Sequence, residues 1–125
     1  MSGWRIEFTI YAELVAYDHP LATDRPVPPP PCDVEVSVAS DPTHRLVLVD
    51  WSDLARGRPS HLRLFQVPVS ELDDIVVEGS SPRDTTTPPT TVLVTTRHGH
   101  FVLRLRGGPD EVRVAGEQLL SLVPR

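Results

Sequence analysis

The sequence predicts a mainly β domain: seven antiparallel strands in a bent sandwich or partly open barrel, capped by one C-terminal α-helix. Three features predict it. Seven short runs alternate apolar and polar residues with a period of two, the spacing that gives a strand one buried face. Clusters of Pro, Gly, Asp, Ser and Thr separate the runs, and their backbone preferences favour turns. After Gly107 and Gly108 the apolar spacing becomes helical and stays so up to Pro124.

The first run, Trp4 to Ala16, puts Trp4, Ile6, Phe8, Ile10, Ala12, Leu14 and Ala16 on one face and Arg5, Glu7, Thr9, Tyr11 and Glu13 on the other. Straight, it would exceed roughly 40 Å. That is too long for so small a domain, so a bend or bulge is expected that lets the strand serve two sheets. Residues 18–32, DHPLATDRPVPPPPC, read as a loop. Its four consecutive prolines lack amide donors and hold the chain extended as a stiff spacer. As a ligand for a polyproline-binding domain it lacks a well-placed flanking cation.

DVEVSVAS (33–40) and HRLVLVDW (44–51) form an expected hairpin around Asp41 and Pro42. SHLRLFQV (60–67) and DDIVVEG (73–79) follow, separated by PVSEL. A Thr- and Pro-rich loop over 80–90 leads to the last pair of strands, Thr91 to Thr96 and His100 to Arg106. With His98 and Gly99 as a two-residue turn, Arg97 faces His100, Thr96 faces Phe101, Val94 faces Leu103 and Val92 faces Leu105. This register gathers the apolar side chains on one face and leaves His100 with Arg97, Arg104 and Arg106 on the solvated one. In the helix, Val112, Ala115, Leu119, Leu122 and Val123 form a single stripe, and Asp110 and Glu111 suit the positive N-terminal end. The stripe is expected to lie across the open end of the sheets.

This succession resembles the pleckstrin-homology superfold. The likeness is carried by LRLFQVPVSELDDIVVE, TVLVTTRHGHFVLRL and PDEVRVAGEQLLSL, which follow the strand, connector, strand, hairpin and helix order of bacterial pleckstrin-homology-like domains. It is a likeness of topology without a signature motif, and a lipocalin-like barrel or another sandwich remains the alternative. The resemblance implies two bent sheets closed at one end by the helix. Phosphoinositide-binding members carry several basic residues around the first loop, whereas Tyr17 to Val38 here offers Arg25 among Asp18, Asp24, Asp33 and Glu35. Related peptide-binding domains use the groove between an edge strand and the helix.

Composition narrows the function classes. A chain of 125 residues suits one domain over 1–125. Twelve cations, all Arg, against 17 acids give a net charge of −5, which disfavours nucleic acid as a partner. The absence of Lys and Asn, both read by AT-rich codons, is explained by a GC-rich coding sequence. One cysteine, Cys32, excludes an internal disulfide and a multi-cysteine zinc site. The acidic, alternating N-terminus is unlike a signal peptide, and no run approaches the roughly 18 apolar residues that cross a bilayer. A cytoplasmic location is expected.

No reaction or cofactor is legible. Ser60 with His61, or Cys32 with a histidine, lacks any recognised catalytic spacing. Asp50, Asp53, Asp73 and Asp74 fall where turns are expected, and RGGPDE lacks the rest of a phosphate loop. His98 and His100 have no third metal ligand beside them in sequence, so no metal is expected. The best-motivated surface is the face bearing Arg97, His100, Arg104 and Arg106, where a partner's carboxylates or phosphates would meet guanidinium forks. Trp51, an aromatic at a strand end, is the second candidate. The plainer reading makes the arginines a solvated face paired with neighbouring acids and Trp51 a filler of the sandwich rim. The expected function is a non-enzymatic protein-interaction or self-association module. Peripheral binding to anionic membrane surfaces through the same arginines is the first alternative, and a ligand carrier or enzyme with a pocket in the barrel the second.

Overall fold

A computed structural model of the chain describes residues 3–52, 62–78 and 91–123. Its strands are β1 (Arg5–Asp18), β2 (Cys32–Ser40), β3 (Arg45–Trp51), β4 (Arg63–Pro68), β5 (Leu72–Glu78), β6 (Thr91–Thr96) and β7 (Gly99–Leu105). A single 3₁₀ turn, Val69–Glu71, links β4 to β5, and the helix α1 (Pro109–Leu120) follows β7. The expected loop 80–90 and the start of the run at Ser60 and His61 lie outside the described residues.

All seven strands belong to one antiparallel, unclosed sheet in the order β4-β3-β2-β1-β7-β6-β5. The expected pair of sheets is therefore one sheet folded on itself, with β1 at the bend. β1 pairs with β2 from Arg5 to Leu14 and with β7 from Ala12 to Asp18. The bend expected from its length occurs as two register shifts, between Ile6 and Phe8 against β2 and between Leu14 and Ala16 against β7.

Each shift resets the side-chain alternation. Ile10, Ala12 and Leu14 face the core, but Trp4 and Ile6 stand 41% and 55% exposed, and Ala16 is exposed while Tyr17 packs inward. The single apolar face expected for Trp4 to Ala16 thus holds only in the middle of the strand.

The last hairpin pairs Thr96 with Gly99, Thr95 with His100, Val94 with Phe101 and Val92 with Leu103. Its turn is Arg97–His98, so the expected register is off by two residues along the partner strand. A two-residue slip preserves parity, and Val92, Val94, Phe101, Leu103 and Leu105 still share the buried face. Close approach sets the turn: Gly99 has φ +153°, and a Cβ there would sit 2.0 Å from the Asp18 carbonyl oxygen.

The two halves meet in the core through Phe65 of β4 and Phe101 of β7, stacked 4.8 Å apart. Tyr17 and His19 meet Phe65 edge-on at 5.4 and 5.2 Å. His19 also fastens this corner. Its Nδ1 donates to the Pro20 carbonyl, which only accepts, at 2.9 Å, and its Nε2 pairs with the buried Thr96 hydroxyl at 2.9 Å. Ala22 N–H donates to Leu64 O across the same opening at 2.7 Å.

Helix α1 opens on Pro109 with the carbonyl of Gly108 accepting from Val112 N–H. Val112, Ala115, Leu119 and Leu122 are buried as the stripe required, and the helix packs beside Val77 of β5 at Gly116. Replacing Phe65 with alanine removes the ring that three others pack on, and urea denaturation is expected to show a loss of about 3–5 kcal/mol.

Candidate functional site: the free edge of β1

The arginine face exists, but it is partnered. Arg104 Nη1 donates to Glu13 Oε1 at 3.1 Å, and Arg106 Nη2 donates to Glu13 Oε2 at 3.0 Å. Arg106 also lies 2.5 Å from Asp33 Oδ1, an ionic contact outside hydrogen-bond geometry that leaves this buried oxygen matched by charge alone. These acids come from β1 and β2, distant in sequence and adjacent in the sheet. Arg97 sits in the turn, 3.9 Å from Glu71, which also meets His98 Nε2 at 3.3 Å. His100 is exposed opposite Asp18 and Thr95. The four expected site residues therefore split between a neutralised strand pair and the hairpin corner. His98 and His100 do not converge, and among the described residues no three His, Cys, Asp or Glu side chains gather as metal ligands.

Trp51 ends β3 opposite Val34, half-buried and packed on the core, with its backbone N–H donating to Leu62 O. Cys32 is half-buried against the core, and burial pushes its thiol pKa up. Both are partly buried and pack against the core. Ser60 and His61 lie outside the described residues.

The surface that stands out is the first half of β1. The strand has 14 residues and β7 has seven, so their pairing ends near Tyr11, whose carbonyl accepts from Arg106 N–H at 3.2 Å. From Arg5 to Ile10, β1 has β2 on one side and, among the described residues, no strand on the other. Alternation from Tyr11 directs the amide and carbonyl of Thr9 to this open side. Such an edge is a template for an added strand.

Grooves flank it. One of about 380 Å³ runs between Thr9–Tyr11 and the helix, lined by Arg106, Glu111, Val114 and Gln118. A wider one of about 750 Å³ lies on the other, paired side of the strand, lined by Trp4 with Pro42, Leu46, Pro68 and Val69. A third, of about 290 Å³, is bounded by Gly3, Arg5, Ser40 and Pro42. Four large apolar side chains are exposed around this edge: Trp4, Ile6, Tyr11 and Val114. Periodicity alone assigned two of them, Trp4 and Ile6, to the core, and no local signal announced the bulge at Glu7.

That bulge is held by charge. Arg45 clamps the Glu7 carboxylate through Nε and Nη2, each at 2.9 Å. The Arg45 hydrogen bond, ahead of opposing desolvation, holds the Glu7 pKa below its ordinary value. Asp41 is likewise lowered, chiefly by the Thr43 amide, which it accepts together with the His44 amide to shape the β2–β3 turn.

The chain matches no protein-family model, no curated protein and no solved structure.

A carboxylate with a lowered folded-state pKa contributes stability above its unfolded pKa and loses it as pH falls through the folded value. Thermal melts of wild type and Glu7→Gln should therefore differ at neutral pH, wild type being the more stable, and converge as pH falls below about 4.5, the ordinary Glu value.

Proposed function

We propose that the chain is a non-enzymatic, cytoplasmic protein-interaction or assembly module of the pleckstrin-homology-like class that takes an extended segment along the free edge of β1. The observation that carries this reading is the stretch from Arg5 to Ile10, which among the described residues has no strand on its second side and is bordered by exposed Trp4, Ile6, Tyr11 and Val114. Main-chain hydrogen bonds to an edge supply affinity, and flanking grooves select side chains. The strand order and the terminal helix support the class.

The same geometry favours the edge over the arginine face. Glu13 and Asp33 already occupy Arg104 and Arg106, and exposed ion pairs of this kind leave little net field for a lipid headgroup or an acidic peptide. A pocket inside the barrel is also disfavoured, since Phe65, Phe101, Leu14 and Leu103 fill the core at 1% exposure or less. No helix among the described residues is long and apolar enough to cross a membrane.

Selection of random peptides displayed on phage tests the reading. Wild type should enrich peptides that Thr9→Val, which keeps the outward amide, still binds and that Thr9→Pro, which removes it, loses by about ten-fold or more. Circular dichroism confirms that the proline variant is folded. Equal capture by both variants would remove the edge as the docking surface.

A further inference from the structure

Resting on that reading of the edge, we infer that its occupant is the same edge of a second copy of this chain, the two β1 strands pairing antiparallel about a two-fold axis at Ile6. The pattern Arg5, Ile6, Glu7 is complementary to itself in this register. Each Arg5 faces the other copy's Glu7, and Ile6 faces Ile6. Neighbouring registers of the same parity are unfavourable: centring on Arg5 opposes two guanidinium groups, and centring on Glu7 opposes two carboxylates.

The apolar side chains fit the same axis. Ile6 is opposite Ala39, and Ala39 is opposite Leu46, so all three occupy the outer face of the sheet. Trp4, two residues earlier, lines the outer groove with Leu46 and Pro68. Across the axis each Trp4 becomes the diagonal neighbour of the other copy's Ile6, within reach of a large ring. The pairing thus covers Ile6, 55% exposed in the single chain, and leaves the 41% exposed Trp4 beside the joint.

The charge pair is available as well. Arg5 is exposed. Each Glu7 oxygen takes one hydrogen bond from Arg45, Ser40 and Arg5 of the same chain also act on this carboxylate, and its oxygens have further lone-pair directions that a donor from the other copy shares. The contact is isologous, so pairing consumes both edges and closes at two copies. Only a short stretch of each strand takes part, which makes the dimer weak and concentration-dependent.

Sedimentation velocity from roughly micromolar to millimolar loading reads the equilibrium directly. Wild type should move from monomer to dimer across that range. Arg5→Glu, which sets acid against acid twice, should weaken association by about ten-fold or more. An equimolar mixture of Arg5→Glu and Glu7→Arg chains should recover association, because both cross-pairs are then of opposite sign. Since Glu7→Arg also breaks the Arg45 clamp, its fold is checked by circular dichroism, and Ile6→Glu serves as an independent interface variant expected to be monomeric. A wild-type chain that stays monomeric, or a dimer indifferent to Arg5→Glu, overturns the inference. A monomer that still selects Thr9-dependent peptides would remove self-pairing and leave the strand-edge reading standing.

Discussion

One strand belongs to both halves of this molecule, and the geometry of that sharing governs the rest. β1 hydrogen-bonds to β2 along its first part and to β7 along its last, overlapping between Ala12 and Leu14. A flat strand could not turn from one half to the other within this length, because the facing layers must close to the roughly 10 Å at which side chains interdigitate. The two register shifts supply the turn. Between them Ile10, Ala12 and Leu14 point into the core, so three inward residues anchor both layers at once. Beyond them, alternation is free to reset, and it does so at both ends.

This explains which parts of the structure were legible in the sequence. Local alternation located the seven strands, and the change of period after Gly108 located the helix, because both signals lie within one element. The hairpin at Arg97 and His98 shows the limit of such reasoning. The side chains that share a face were read correctly although the pairing was not, since parity survives a slip of two residues. What moved the turn was the Asp18 carbonyl, pressed so close to Gly99 that no other residue fits, and that contact joins positions 81 apart in the chain. The faces of Trp4, Ile6 and Ala16 were misread for a related reason: a bulge costs one residue of register and leaves no composition signal.

Electrostatics show the same division between local and distant information. Alternation put Arg104 and Arg106 beside each other on the solvated face, and they are there. Their partners Glu13 and Asp33 belong to strands more than 70 positions earlier, and only the sheet order brings them near. A chain of net charge −5 with interleaved acids can carry a cluster of arginines without projecting a positive field. The same acids also tie β1 and β2 to the end of β7. Glu7 and Arg45 play the corresponding part at the opposite end of the sheet.

The free edge follows from lengths. A 14-residue strand flanked by a seven-residue strand leaves part of one side unpaired unless something else covers it. The chain turns away after Leu105, at Gly107 with φ +123°, and enters a helix at Pro109. The helix spends its apolar stripe on the core, with Val112, Ala115 and Leu119 buried, and presents Val114 and Gln118 to the groove beside Thr9 and Tyr11. The helix that packs against β5 and β7 thus stops short of covering the start of β1. Natural sheets often protect such edges with inward charges, prolines or bulges. Here the bulge at Glu7 turns Trp4 and Ile6 outward instead of hiding them, and exposed apolar side chains beside unpaired main chain are a surface whose free energy falls when a strand is added.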